Sequence, residues 1–215
     1  MVHREGREPA RYGGSVAGRI VVLISGSGTN MEALADACEQ GDVPGDIVAA
    51  FADRDCIGLR AAEKRSIDAH LVAYSEFASR ESWSVALRDA VARCEPDLVV
   101  SAGFMRILSP AFVDAFPHRI INLHPALLPS FPGAHAVRDA LDFGVQVTGT
   151  TVHLIDHEVD HGPILLQEAV RIEPGDTEDA LHERIKNVEH RLLPQACRLM
   201  LEGRVQVDGT SVTIT

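Results

Sequence analysis

Short apolar runs alternate with amphipathic segments of helical length through the first part of the chain, and this alternation leaves few folds open. The runs are Arg19–Ser25 (RIVVLIS), Asp46–Asp53 (DIVAAFAD), Ala69–Tyr74 (AHLVAY), Asp97–Ala102 (DLVVSA) and Arg119–Leu123 (RIINL). Rich in Val and Ile and without regular polar alternation, they match strands buried on both faces. Between them, Met31–Gly41, Cys56–Ser66, Ser79–Cys94 and Pro110–Ala115 read as helices. In the first of these, Met31, Leu34, Ala35 and Cys38 form one stripe and Gly41 is a stop. The order predicts a doubly wound, mostly parallel α/β sheet with helices on both faces, Rossmann-like in outline. Ligands of such sheets lodge at the carboxyl ends of the strands, so chemistry is expected directly after the runs.

Beyond Gly133 the pattern changes. A helix is expected over His135–Phe143, an alternating strand over Thr148–Leu154 (TGTTVHL) and another over Pro163–Ile172, with the loop IDHEVDHG between the two. Thr177 caps a long helix that reaches Glu202, with Glu178 and Asp179 in its first turn. Asp208-Gly209 then marks a C-terminal antiparallel hairpin whose exposed edges suit a second copy, so a homodimer is an expectation. The domain reading is a loose tail over residues 1–18 and a single domain over 19–215, its N-terminal half ending near residue 100. With 46% hydrophobic and 24% charged residues, the chain has material for one sizeable core. A net charge of −11 argues against a nucleic-acid footprint. Cys38, Cys56, Cys94 and Cys197 are scattered without a C-x-x-C pair, which disfavours disulfides and cysteine-based zinc and favours a reducing, cytoplasmic setting. The polar N-terminus lacks the apolar centre of a signal peptide, and no apolar run approaches the roughly 18–20 residues of a membrane span.

The first run passes straight into Gly26-Ser27-Gly28-Thr29-Asn30. Small residues at a helix N-terminus leave backbone N–H groups and the helix dipole facing an anion, and the Ser and Thr hydroxyls add donors. A phosphate monoester is the natural ligand, although a plain turn capped by Thr29 or Asn30 accounts for the same residues. Asp53, at the end of the second run, suggests a dinucleotide-binding acid, but Met31 replaces the third glycine of G-x-G-x-x-G and weakens that reading. The fourth run leads into Gly103-Phe104-Met105-Arg106, and the fifth ends in Asn122-Leu123-His124-Pro125. A buried strand needs no such polar tip. Residues 157–161 spell HEVDH, a literal zinc-protease pattern; that motif needs a helix, whereas here a strand precedes it and Gly162-Pro163 follows at once. No metal is expected. What the loop offers is Asp160. If it folds over Asn122 and His124, a carboxylate, an imidazole and an amide donor meet, a set suited to acyl transfer or hydrolysis. No Ser or Cys stands beside His124, so direct attack by an amine or by water is expected.

VVLISGSGTN, SAGFMRILSP, INLHPALLPSFPG, GTTVHLIDHEVDHGPILLQ and NVEHRLLP, in that order from about Ile20 to Pro194, resemble the folate-dependent phosphoribosylglycinamide formyltransferases. The resemblance implies transfer of a formyl group from 10-formyltetrahydrofolate to the amine of 5'-phosphoribosylglycinamide in de novo purine biosynthesis, with small-molecule substrates and no metal. It implies Asn122, His124 and Asp160 as the catalytic trio. Gly28, Thr29 and Asn30 would hold the substrate phosphate, with Gly103, Pro125 and Glu189 also on the substrate side. Arg80, Met105, Arg106, Ile107, Leu108, Asn122, Ile155 and Asp156 would face the folate, with the loop from Ile155 to Asp160 closing over the pteridine. Two departures stand out: His161 where relatives commonly carry glycine, and Ser130 where a lysine is often found.

Methionyl-tRNA formyltransferase is a rival, but it would be expected to add a C-terminal domain and a basic surface. Formyltetrahydrofolate hydrolase is another, expected to carry a preceding regulatory domain that the short tail has no room for. A phosphate- or nucleotide-binding module would use GSGTN alone and leave Asn122, His124 and Asp160 without a task. Taken by themselves, Arg80 and Glu189 read as solvated helix residues, Arg106 as a strand-end arginine, and His153 as a packed histidine rather than a proton carrier.

Overall fold

The computed structural model describes residues 17–215. The expected tail lies outside the described residues except for its last two positions. A seven-stranded sheet is built from β1 (Gly18–Ile24), β2 (Gly45–Ala52), β3 (Asp68–Leu71), β4 (Leu98–Ser101), β5 (Ile120–His124), β6 (Val147–Leu154) and β7 (Ile164–Arg171), in the spatial order β3-β2-β1-β4-β5-β6-β7. The first five strands are mutually parallel; β6 is antiparallel to β5, and β7 to β6. The expected third strand is shorter than Ala69–Tyr74. The Val72 and Tyr74 N–H groups still donate to Ala52 O and Asp53 O at 2.9 Å, but the chain then enters a single 3-10 turn over Tyr74–Glu76.

Helices α1 (Thr29–Glu39), α2 (Ile57–Lys64) and α6 (Glu178–Leu201) cover one face, and α3 (Arg80–Ala92) and α4 (Pro110–Val113) the other. Strand periodicity divides β1 between the two layers: Ile20, Val22 and Ile24 pack toward α1, α2 and α6, while Val21 and Leu23 meet Trp83, Leu87 and Phe112. All five are fully buried, each stabilising the fold by about 1.5–3 kcal/mol against exposure, which is why an uninterrupted apolar run occupies the sheet centre. Ser79 caps α3 by accepting from Ser82 N–H, and Thr177 caps α6 by accepting from Ala180 N–H. A further helix, α5 (Ala136–Phe143), and the separate hairpin β8 (Val205–Asp208) and β9 (Ser211–Ile214) complete the described fold; Val205, Val207 and Val212 lean on the main core.

Two consequences place the site. On β5, Ile120 joins the α3 and α4 layer, so the same-face residues Asn122 and His124 follow it along that surface, while Ile121 and Leu123 pack against the α6 side. The second concerns the loop after β6. Because β6 runs antiparallel, its final Leu154 is level with Ile121, and the loop after it does not start from the rim that carries His124. The Ile155 N–H donates to Ile120 O and the Leu154 N–H to Pro163 O, so the loop leaves and returns at one point and must fold back to reach β5.

Candidate active site

The fold-back brings Asp160 to His124. Asp160 Oδ2 accepts from the Gly133 N–H at 2.8 Å and lies 3.4 Å from His124 Nδ1. A left-handed backbone at Asp160 (φ 53°) turns the carboxylate inward, a conformation Asp tolerates because its short polar side chain bonds locally. The other nitrogen of His124, Nε2, donates to Phe131 O at 2.7 Å. Both ring nitrogens of this buried histidine therefore face oxygen acceptors, an arrangement that suits an imidazolium.

Asn122 is partnered across the sheet by His153. The His153 Nδ1 lies 3.0 Å from Leu154 O, which only accepts, so Nδ1 carries the proton and Nε2 is left to accept. It accepts from Asn122 Nδ2 at 3.2 Å, which fixes the amide orientation and leaves the second N–H of Asn122 without an acceptor among the described residues. Burial pushes the His153 imidazole below its ordinary value, keeping it neutral. The reading of His153 as packed and not proton-carrying agrees with this geometry, but it omitted the contact that makes the residue part of the site. Alternation in TGTTVHL revealed a buried position; only the β5–β6 register supplied the partner.

The glycine turn of residues 26–30 is built differently. Gly28 precedes α1 with φ 81°, and no side chain caps the helix, so neither Thr29 nor Asn30 plays the capping role that a purely structural turn would give them. A Cβ on Gly28 would stand 2.8 Å from Gly58 Cα, and one on Gly58 would meet Ile24 Cδ1 at 2.7 Å. The Gly58 N–H donates to Gly26 O at 2.9 Å. The first turn of α2 thus presses directly on the glycine turn, and the signal in the sequence was a glycine placed inside a helix. Glu189, which in isolation reads as solvated, is only 4% exposed. Its Oε2 accepts from Asn30 Nδ2 at 2.8 Å; its Oε1 lies 3.4 Å from the Thr150 hydroxyl, which is also 3.1 Å from His124 O. With its nitrogen turned to Glu189, Asn30 is left with a buried Oδ1 that has no partner among the described residues.

The folate-side candidates divide. Met105 and Ile107 are 62% and 54% exposed and, with the half-exposed Val159 of the 155–162 loop, present apolar side chains to solvent; Leu108 is buried among Phe104, Phe112 and Phe116. The exposed backbone of Gly103 and the half-buried Pro125 lie at the strand tips. The Arg106 guanidinium is held within the protein: Nε donates to Asp53 Oδ2 at 2.7 Å and the group stacks 4.1 Å from the Tyr74 ring centre. Asp53 is correspondingly occupied, which removes the dinucleotide reading. Arg80 is exposed at the start of α3 and bonds the adjacent Glu81. Ile155 packs beside the α3 and α4 layer, and Asp156 bonds His161 Nδ1 at 2.9 Å, raising that imidazole above its ordinary value. His157 turns instead to Asp114 at 2.9 Å; in this non-helical loop the two histidines of HEVDH serve different carboxylates. Ser130 is exposed, its N–H on Leu127 O.

The family model described as formyl transferase matches residues 18–197. The chain belongs to the formyl transferase family. It is 48% identical over 208 residues to the phosphoribosylglycinamide formyltransferase of Mycobacterium tuberculosis (strain ATCC 25618 / H37Rv), covering 97% of this chain and 96% of that protein. It is 42% identical over 189 residues to the phosphoribosylglycinamide formyltransferase of Escherichia coli (strain K12), covering 87% and 89%. The glycinamide ribonucleotide transformylase 1 of Symbiobacterium toebii superposes with a TM-score of 0.90 at 45% identity, covering 92% of this chain and 93% of that one.

Proposed function

We propose that this formyl transferase moves the formyl group of 10-formyltetrahydrofolate to the amine of 5'-phosphoribosylglycinamide, a step of de novo purine biosynthesis. The observation that carries the reading is the meeting of Asp160 with His124, beside an Asn122 amide with one N–H unspent. The Asn30–Glu189–Thr150 chain runs from the phosphate-side turn to the backbone of His124 and joins the two ends of such a substrate.

The residues fit both ligands. The orphaned Asn30 Oδ1 is an acceptor for a ligand N–H or O–H. Gly28, Thr29 and Asn30 hold the phosphate, and Glu189, Gly103 and Pro125 border the rest of that substrate. Met105, Ile107 and Val159, exposed and apolar, would meet the folate ring, with the buried Leu108, the loop residues Ile155 and Asp156, and Arg80 also on the folate side. When bound, the folate supplies the formyl group. The free N–H of Asn122 and the imidazolium of His124 donate to the formyl oxygen as negative charge gathers there. Asp160 pairs with the imidazolium and accepts the proton that the attacking amine sheds, directly or through water. His153 holds the Asn122 amide in its donating orientation.

Incubating the protein with 10-formyltetrahydrofolate, with and without phosphoribosylglycinamide, tests the reading. Amine-dependent loss of the formyl donor supports the transferase. Amine-independent release would favour a hydrolase, and no turnover a binding module. The same reading divides the domain into a phosphoribosyl half, to about residue 100, and a folate and catalytic half. It also carries a cytoplasmic location and a homodimer, tested by cell fractionation and by light scattering at several concentrations.

A further inference from the structure

Asp53 has no part in the chemistry above, yet it is the most completely satisfied carboxylate near it. Its side chain is fully buried at the carboxyl end of β2. Oδ1 accepts the Ser25 hydroxyl at 2.6 Å and Arg54 Nε at 3.3 Å; Oδ2 accepts Arg106 Nε at 2.7 Å, Arg54 Nη2 at 2.9 Å and Arg54 Nε at 3.1 Å. Ser25 acts as a relay, because its oxygen also accepts the Met105 N–H at 2.9 Å. Tyr74, whose N–H donates to Asp53 O, stacks under the Arg106 guanidinium. Burial alone would raise the Asp53 carboxyl; hydrogen bonds from Arg54, Ser25 and Arg106 outweigh it and hold the carboxyl below its ordinary 3.8.

Three strand tips thus converge on one carboxylate: the end of β1 just before Gly26, the end of β2, and the segment after β4. Gly103 has φ 72°; Phe104 and Leu108 pack into the core, while the exposed Met105 and the Arg106 between them are held by polar contacts to Ser25 and Asp53. We infer that Asp53 is the positioning residue of the 103–108 segment: through Ser25 on the Met105 N–H and through the Arg106 guanidinium it holds the folate-facing side chains in place, and it fastens them to the strand that bears the phosphate turn. The inference rests on the reading that Met105 and Ile107 face the folate.

Isothermal titration with 10-formyltetrahydrofolate alone, and with phosphoribosylglycinamide alone, separates the two claims. Charge-assisted hydrogen bonds of this kind carry enough energy that Asp53→Asn is expected to weaken folate binding about tenfold. Phosphoribosylglycinamide binding stays within about twofold, because the Gly28–Asn30 turn is braced separately by Gly58. Ser25→Ala, which cuts only the relay, weakens folate binding about threefold, in keeping with one neutral hydrogen bond. Emission from Trp83, the chain's one tryptophan, stacked 5.9 Å from Phe104 and edge-on to Tyr74 at 5.3 Å, shifts in Asp53→Asn before any ligand is added. Met105→Ala and Ile107→Ala report on the underlying reading: unchanged folate affinity in both would remove the folate-facing assignment and the inference with it. If they weaken binding while Asp53→Asn and Ser25→Ala do not, the inference alone is overturned. Equal weakening of both ligands in Asp53→Asn also overturns it, as general loosening. Should Asp53→Asn fail to fold, Ser25→Ala decides.

Discussion

The glycine turn proposed for the phosphate and the rim proposed for catalysis lie along the same sheet but are made by opposite means. The turn is contiguous, residues 26–30, and works through backbone: a left-handed glycine, an uncapped helix start and Gly58 pressed against it. The rim gathers Asn122, His124, His153 and Asp160 from two antiparallel strands and a loop that folds back, and it works through side chains. Steric fit governs the first and hydrogen-bond geometry the second. Substitutions in the turn should therefore act on binding, and those in the rim on turnover.

The largest test of that contrast is in the rim. Asn122→Ala, or Asp160→Asn, which keeps a residue tolerant of φ 53°, is expected to lower kcat by about 10²–10³ with the fold intact. Near wild-type kcat in either folded variant breaks the assignment. In the turn, Gly28→Ala places a side chain at φ 81° and against Gly58, costing about 1–3 kcal/mol of stability and raising KM for phosphoribosylglycinamide more than it lowers kcat. A thermal melt and steady-state kinetics check both parts. Gly58→Ala sharpens the point, since alanine suits a helix and only the contact with Ile24 and the turn opposes it. A few-fold rise in KM for phosphoribosylglycinamide, corresponding to about 1 kcal/mol of overpacking, with kcat unchanged, is the expected result.

His153 supplies a pH test. Its folded-state pKa lies below the ordinary 6.5, so the unfolded chain binds the extra proton and stability is lost as pH falls below that value toward the folded pKa. His153→Gln should flatten the acid side of the stability profile by up to about 1.4 kcal/mol per pH unit, the ceiling for one proton. An unchanged slope in pH-dependent chemical denaturation would place the titration elsewhere. The smallest effect is expected from Arg80→Ala: an exposed arginine on the neighbouring Glu81 is worth about 0–1 kcal/mol, so folate KM should move by no more than a few-fold.

The buried runs, the Thr177 cap, the glycine turn and the Asn-x-His tip were legible because each is written in contiguous residues under a local rule. Asp160 was legible through the family resemblance, but its route to His124 was not, because that depends on β6 running antiparallel. The partners of Glu189, Arg106 and Asp53 were not legible, for one reason. Charged residues read alone look solvated, and whether a carboxylate is exposed or locked depends on what distant segments bring to it. His153 needed the β5–β6 register, and Gly58 the packing of α2 on the turn.

The sequence by itself determined the alternating α/β scaffold, the anion-ready helix start and the identities of the amide, imidazole and carboxylate, since hydrophobic periodicity and backbone sterics act over a few residues. Tertiary structure alone decided which of these polar groups meet: Asp160 with His124, His153 with Asn122, Glu189 with Asn30, and Arg106 with Asp53. Hydrogen bonds reach only about 3 Å, so their pairing is fixed by strand direction, register and loop closure across residues far apart in the chain.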